Sequence, residues 1–139
     1  MSVYVDASVI LRNALTQPGA LTSLGDHEPG IASELVELEC LRTLDRLRLA
    51  RVLPEELLAQ ARRRTLHWIA PLHRVGVDAT LLDLAARPHA TPLGTLDAIH
   101  LATALLWRES TDPNLVLATH DRELGTAART FGFEVIGLS

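Results

Sequence analysis

Short runs of apolar residues alternate along the chain with longer stretches in which apolar residues recur at helical spacing. Uninterrupted runs such as Val3-Tyr4-Val5 are typical of strands that a parallel sheet buries on both faces. We predict strands at residues 2–5, at residues 31–32, within residues 68–77, at residues 115–118 and at residues 134–136.

Between the predicted strands, polar and apolar residues follow the 3.6-residue period of helices. Helices are predicted from residue 7, at residues 33–50, 54–66 and 78–86, and at residues 96–109 and 121–130. Ser33 and Thr95 are predicted N-caps, because a side-chain oxygen there accepts a free backbone N–H of the helix. Pro54 followed by two glutamates is typical of a first helical turn. Residues 17–30 contain several glycines and prolines and are predicted to be irregular.

Strands that alternate with helices predict an α/β fold in which a mostly parallel sheet carries helices on both faces. The chain has 139 residues, the size of one domain, so we expect a single domain over residues 1–139. Apolar residues make up 47% of the chain, which indicates a packed core rather than a disordered segment.

The composition excludes several kinds of chemistry. All 13 basic residues are arginine, so the chain has no lysine for a P-loop or a Schiff base. A formal net charge of −4 argues against a protein that holds nucleic acid through many phosphate contacts. The single cysteine, Cys40, lies in an apolar helical pattern, which favours a core position. With no basic signal region and no apolar run of about 20 residues, we expect a cytoplasmic protein without a membrane span.

Four acidic residues occupy unusual positions. Asp6 and Asp121 directly follow predicted strands, and ligands of an open parallel sheet bind beyond the carboxyl ends of its strands. Glu39 and Asp97 adjoin the apolar stripes of their predicted helices. Three of the four also have an ordinary explanation. Asp6 and Asp121 suit the N-caps of the helices that follow, and Asp97 suits a first helical turn.

If these four carboxylates meet, they repel one another, and a divalent cation removes that penalty. Oxygen ligands favour a hard ion, Mg²⁺ or Mn²⁺, over zinc. The six histidines are scattered and lack the spacing of zinc ligands. The sequence therefore favours a Mg²⁺ or Mn²⁺ site over a zinc site.

Four segments of the chain resemble the PIN-domain family, and within it the VapC-like toxins. They are, in chain order, Val3-Tyr4-Val5-Asp6-Ala7-Ser8, Ser33 through Leu35 to Glu39-Cys40-Leu41-Arg42, Thr95-Leu96-Asp97-Ala98-Ile99-His100-Leu101-Ala102-Thr103-Ala104, and Thr119-His120-Asp121-Arg122-Glu123-Leu124. The third segment is the most specific, and the resemblance covers essentially the full chain. It implies a three-layer α/β/α sandwich around a mostly parallel, five-stranded sheet.

The resemblance also implies an activity, a cofactor and partners. In the family, an acidic quartet binds Mg²⁺ or Mn²⁺, and an activated water attacks the phosphodiester of RNA. The quartet corresponds here to Asp6, Glu39, Asp97 and Asp121. A VapC-like toxin endoribonuclease is further expected to form a homodimer and to be inhibited by a cognate VapB-like antitoxin.

Three further residues are candidates for contact with the substrate. Ser8 and Thr119 have the places of small hydroxyl residues beside the first and fourth acids, where they bind a water or a phosphate, or form a local turn bond. Arg42, one helical turn from Glu39, either holds that carboxylate ionised, contacts a substrate phosphate or is an ordinary surface arginine. Gly94 departs from the many relatives that carry an arginine there, which concerns one substrate contact and not the metal site.

Two alternatives to a toxin ribonuclease share the same fold. One is an RNA-processing nuclease that is not a toxin, and the other is a PIN binding module that has lost catalysis. All four acids are present, which favours the enzyme. A receiver or phosphatase-like domain needs a lysine and usually a second acid beside the strand-end aspartate, whereas Asp6 is followed by Ala7 and Ser8.

Overall fold

Five strands and six helices alternate in the computed structural model, which describes residues 2–21 and 23–138. The strands are β1 (Val3–Val5), β2 (Gly30–Ser33), β3 (His73–Val75), β4 (Val116–Ala118) and β5 (Val135–Ile136). The helices are α1 (Ala7–Ala14), α2 (Val36–Leu49), α3 (Glu55–Ile69), α4 (Ala79–Ala85), α5 (Thr95–Ser110) and α6 (Arg122–Thr130). A short 3-10 helix at Ser23–Asp26 lies within the segment predicted to be irregular.

All five strands form one parallel sheet in the order β3-β2-β1-β4-β5. β1 is central, because Tyr4 pairs with Ile31 of β2 on one side and with Leu117 of β4 on the other. Each connection between consecutive strands contains a helix, as parallel strands require. The predicted parallel sheet of five strands is confirmed, and the carboxyl ends of the strands meet at one edge.

The sheet separates two apolar clusters, because successive side chains of a strand point to opposite faces. Val3 and Val5 lie in one cluster with residues of α1, α2 and α3. Tyr4 lies in the other cluster with residues of α5 and α6, and α4 packs on α5 through Leu81 and Ile99. Helices therefore cover both faces, which gives the three layers of an α/β/α sandwich.

The start of α2 differs from the prediction. Ser33 is the predicted N-cap of this helix, but it is the last residue of β2, where it pairs with Val75 of β3. Its hydroxyl still accepts a hydrogen bond from the backbone N–H of Leu35 at 3.2 Å, and α2 begins at Val36. The prediction is wrong because strand pairing holds Ser33 in extended backbone, which outweighs its local preference for capping.

Two other helix starts differ by one residue. Thr95, the predicted N-cap of α5, is its first residue, and Gly94 occupies the N-cap position without a side-chain bond. Pro54 is the N-cap residue of α3 and precedes its first turn. α3 also continues beyond residue 66 to Ile69, because this side chain is 1% exposed and packs into the core beside the sheet.

The predicted core position of Cys40 is confirmed, since the residue is fully buried. Burial, followed by the charges of Glu39 and Asp6, raises the pKa of its thiol to about 12, so the thiol stays protonated. Within the described ranges, none of the helices has the length and apolar character needed to cross a membrane.

Candidate active site

Asp6 lies at the carboxyl end of the central strand, and both of its carboxylate oxygens accept hydrogen bonds. The hydroxyl of Ser8 donates to Oδ1 at 2.6 Å, and the hydroxyl of Thr119 donates to Oδ2 at 2.7 Å. The backbone N–H of Val9 also donates to Oδ1, so Asp6 is the N-cap of α1. Burial raises the pKa of this carboxyl group, although the charge of His100 and the two hydroxyl bonds oppose the rise.

The same two hydroxyl groups join the loops that follow β1 and β4. The Ser8 hydroxyl accepts from the backbone N–H of His120 at 3.0 Å, and the Thr119 hydroxyl accepts from that of Asp121 at 3.0 Å. Asp121 is the N-cap of α6, because its Oδ1 accepts from the backbone N–H of Leu124 at 2.9 Å. The N-cap interpretation of both strand-end aspartates is therefore confirmed. Both lie at one edge of the sheet because they follow neighbouring parallel strands.

Glu39 reaches this edge from α2 and ends a row of buried hydrogen bonds. Nε2 of His100 lies 2.7 Å from Oε1 of Glu39, and Nδ1 of the same ring lies 2.6 Å from the hydroxyl oxygen of Tyr4. Tyr4 is fully buried and His100 is 1% exposed, whereas the side chain of Glu39 is 17% exposed. The carboxylate thus lies at the surface end of a polar row that runs into the core.

His100 and Tyr4 are not among the residues predicted for the site. Each nevertheless leaves a signal in the sequence, because a phenol in a buried strand and a histidine among apolar helical residues both need hydrogen-bond partners. That they are partners of each other, 96 residues apart, is a tertiary contact that the local pattern does not contain.

Asp97 lies half-buried in the first turn of α5, one turn before His100. Burial, followed by the charges of Asp121 and Asp6, raises its pKa from 3.8 to about 6. Glu39 adds a smaller rise, against the opposing charge of His100. Because the other three acids all act on Asp97, the four carboxylates share one electrostatic environment.

The four carboxylates meet at one edge without forming a coordination shell. Among residues 2–21 and 23–138, no group of three or more acidic, histidine or cysteine side chains is arranged to hold a metal ion. Mutual repulsion keeps ionised carboxylates from closing on one point. The carboxylates of Asp6, Glu39 and Asp121 are also turned towards hydrogen-bond partners of their own. Metal binding by these residues stays a prediction.

The donors at this edge nevertheless suit a hard cation, because all of them are carboxylate oxygens. In the part of the chain that the structure describes, Glu39 pairs with His100, and the three aspartates take part in no ion pair. Burial and repulsion together raise the pKa of Asp97, and no arginine among the described ion pairs offsets the repulsion. A cation bound among these groups would do so.

Arg42 lies on α2 with 58% of its side chain exposed. Its Nη1 pairs with Oδ2 of Asp45 at 3.2 Å, and Glu39 is not its ionic partner. The interpretation in which Arg42 holds Glu39 ionised thus has no contact to support it. Its predicted contact with a substrate phosphate stays open.

Comparison with known proteins identifies the family. The PIN domain model matches residues 3–129. Ribonuclease VapC46 of Mycobacterium tuberculosis strain H37Rv is 37% identical over 142 residues, covering 99% of this chain and 98% of the relative. Ribonuclease VapC49 of the same strain is 34% identical over 139 residues, covering 96% of this chain and 93% of the relative. The chain belongs to the PIN-domain family.

A solved structure has a similar fold. The crystal structure of PAE2754 from Pyrobaculum aerophilum matches with a TM-score of 0.64 and covers 98% of this chain and 84% of that chain. The two sequences are 22% identical, so the similarity concerns the fold alone. It agrees with the predicted PIN-like α/β/α arrangement, which is confirmed.

Proposed function

We propose that this chain is a metal-dependent endoribonuclease that acts as the toxin of a VapBC-type toxin–antitoxin pair. The observation that carries the proposal is that four acids converge at the carboxyl edge of the sheet. Hydrogen bonds join the Asp6 and Asp121 loops, and Glu39 bonds to His100, one helical turn after Asp97. Relatives named VapC ribonucleases match almost the whole chain and support RNA as the substrate. Because all five strands belong to one sheet, we also propose that residues 1–139 form a single PIN domain.

The four carboxylates would hold Mg²⁺ or Mn²⁺. When bound, the ion would lower the pKa of the attacking water and stabilise the charge that develops on the leaving oxygen of the phosphodiester. The two hydroxyl donors on Asp6 fix the orientation of its carboxylate. Among the hydrogen bonds of the described residues, Glu39 and Asp121 each use one oxygen only, which leaves the second for a cation.

Ser8, Arg42 and Thr119 are the proposed contacts of the substrate. Arg42 is the simplest of the three, because its exposed pair with Asp45 costs little to exchange for a phosphate. The hydroxyl groups of Ser8 and Thr119 already donate to the carboxylate of Asp6. A direct bond from either hydroxyl to a phosphate oxygen would therefore require that donation to be given up.

A homodimer and a VapB-like antitoxin are the proposed partners, in the cytoplasm. The helices α2 and α3 carry exposed apolar side chains that support such contacts, namely Leu38, Leu49, Leu57 and Leu66. The acidic edge suits an arginine from a partner, because a guanidinium binds carboxylates in a bidentate manner. An unregulated ribonuclease would also harm its own cell.

An RNA cleavage assay on the purified protein tests the activity. Cleavage should need Mg²⁺ or Mn²⁺, stop in excess EDTA and be lost in Asp97→Asn. The matched control is Asp83→Asn, which removes an exposed carboxylate of α4. Cleavage by the wild type in EDTA would contradict the metal mechanism. No cleavage with any divalent ion would favour the alternative, a catalytically silent binding module.

Co-expression with the neighbouring small open reading frame tests the toxin assignment. We expect a complex in which cleavage is inhibited, and light scattering of the free protein should show a dimer. A monomer at micromolar concentration that neither binds that product nor loses activity in its presence would favour an RNA-processing nuclease. That result would leave the nuclease chemistry standing.

A further inference from the structure

His100 occupies a position from which it can set the orientation of Glu39. Its ring lies between two polar groups, the carboxylate of Glu39 and the hydroxyl of Tyr4. An ionised carboxylate only accepts hydrogen bonds, so Nε2 of His100 donates to Oε1 of Glu39 at 2.7 Å. Nδ1 lies 2.6 Å from the Tyr4 hydroxyl oxygen; it accepts from this hydroxyl in the neutral ring and donates to it in the protonated ring.

Tyr4 holds the ring in this arrangement from inside the core. It is fully buried in the central strand, and its ring meets that of His100 edge-on with centroids 5.8 Å apart. A buried phenol has no water as an alternative partner, so its hydroxyl group bonds to Nδ1 of the imidazole, as the donor to a neutral ring or the acceptor from a protonated one. In both protonation states of the ring, a proton on Nε2 faces Glu39, and this arrangement satisfies both neighbours.

The bond between His100 and Glu39 also joins two layers of the fold. His100 belongs to α5, which packs with Tyr4 on one face of the sheet. Glu39 belongs to α2, which packs on the opposite face. Asp97 precedes His100 by three residues and lies on the same side of α5. The histidine thus connects an acid from one layer with an acid from the other.

We propose that His100 is a positioning residue that holds Glu39 in the orientation in which it contributes to the acidic site, an inference that rests on the proposed metal-dependent function. The Nε2–H group of His100 donates to Oε1 of Glu39 and leaves Oε2 of Glu39 for the cation. A histidine that only fills the core would be replaceable by any side chain of similar volume. A positioning histidine is replaceable only by a side chain that keeps a donor where Nε2 lies.

Two substitutions separate these roles. His100→Gln keeps an N–H donor near the place of Nε2, whereas His100→Leu keeps the bulk and loses the donor. Binding of Mn²⁺ alone to the full chain is measured by calorimetry. His100→Leu should weaken Mn²⁺ binding by about 10- to 100-fold, and His100→Gln should recover most of the loss. The same changes at His89, which bonds to the Ala85 carbonyl oxygen at 2.9 Å, are matched controls that should leave the affinity unchanged.

A second readout needs no metal ion. In nitrogen-15 NMR spectra of the wild type without divalent ions, Nε2 of His100 should carry a proton. If His100→Leu does not fold, Tyr4→Phe takes its place, because losing the hydrogen bond at Nδ1 frees the ring to turn or to move its proton away from Glu39. Tyr4→Phe should weaken Mn²⁺ binding by a smaller factor and broaden or shift the ring signals.

The inference is overturned if Nε2 proves to be unprotonated, or if the leucine and glutamine variants bind Mn²⁺ equally well. Failure of the proposed function looks different. In that case the wild type, Asp97→Asn and the His100 variants all fail to bind Mn²⁺. The protonation of Nε2 then decides by itself whether His100 donates to Glu39.

Discussion

Replacement of Asp97 by asparagine tests the electrostatic account of the acidic site. The change keeps the shape of the side chain and removes one charge. Without divalent ions it should stabilise the folded chain, because ionised Asp97 is half-buried and also lies against the charges of Asp121 and Asp6. With Mn²⁺ the order of stability should reverse, since the wild type gains binding free energy that the variant has lost.

The magnitude follows from the pKa of Asp97. Its rise from 3.8 to about 6 is close to two pKa units, and each unit corresponds to about 1.4 kcal/mol. Ionising Asp97 in the folded chain would thus cost about 3 kcal/mol without screening. Because the side chain is only half-buried, we halve this to on the order of 1.5 kcal/mol. Asp97→Asn should raise the free energy of unfolding at pH 7.5 by this amount.

The pH dependence has a definite sign. Between about pH 4 and pH 6 the folded chain keeps a proton on Asp97 that the unfolded chain has lost. The contribution of Asp97 to stability is therefore fully present below pH 4 and is lost as the pH rises through 6. Wild type and Asp97→Asn should have similar stability at pH 4 and should diverge as the pH approaches 7.

Urea denaturation in EDTA at several pH values measures both effects, with Asp83→Asn as a control of equal net charge. Repeating the series in Mn²⁺ at about 100 times its dissociation constant should add about 2.7 kcal/mol to the wild type and nothing to Asp97→Asn. The reasoning is refuted if Asp97→Asn behaves like Asp83→Asn in EDTA, or if Mn²⁺ stabilises the two variants equally.

Three further substitutions have distinct expected results. Arg42→Ala should slow RNA cleavage, leave Mn²⁺ affinity unchanged and alter the free energy of unfolding by less than about 0.5 kcal/mol; unchanged cleavage would make it an ordinary surface arginine. Thr119→Val leaves Oδ2 of Asp6 without a donor and the N–H of Asp121 without an acceptor. Urea denaturation should therefore show a loss of about 2 kcal/mol, and Mn²⁺ titration should show a weaker affinity. Gly137→Ala should lower the free energy of unfolding by about 1 to 3 kcal/mol, because φ is +105° and the new Cβ would collide with the Thr119 carbonyl oxygen. A urea denaturation curve equal to that of the wild type would contradict this geometry.

Most elements of this fold could be predicted from the sequence because every strand except β3 has a local signature, and the acids could be located because two of them follow strands. What the sequence did not contain is the pairing of distant side chains. Glu39 and His100 are 61 residues apart, and no periodicity links an acid on one helix to a histidine on another. Ser33 shows the same limit, since its place in β2 depends on pairing with β3, a strand predicted only to lie within residues 68–77.

The two N-cap aspartates show how this fold lowers the cost of an acidic site to its stability. Asp6 and Asp121 lie at the N-termini of α1 and α6, and Asp97 lies in the first turn of α5, where the helix dipoles favour negative charge. Backbone N–H groups replace part of the water that the two caps lose. The repulsion that is left falls most clearly on Asp97. The same negative charges destabilise the chain when no cation is bound and attract a cation to the site. A substitution that removes one of these charges, such as Asp97→Asn, must therefore stabilise the cation-free chain and weaken cation binding.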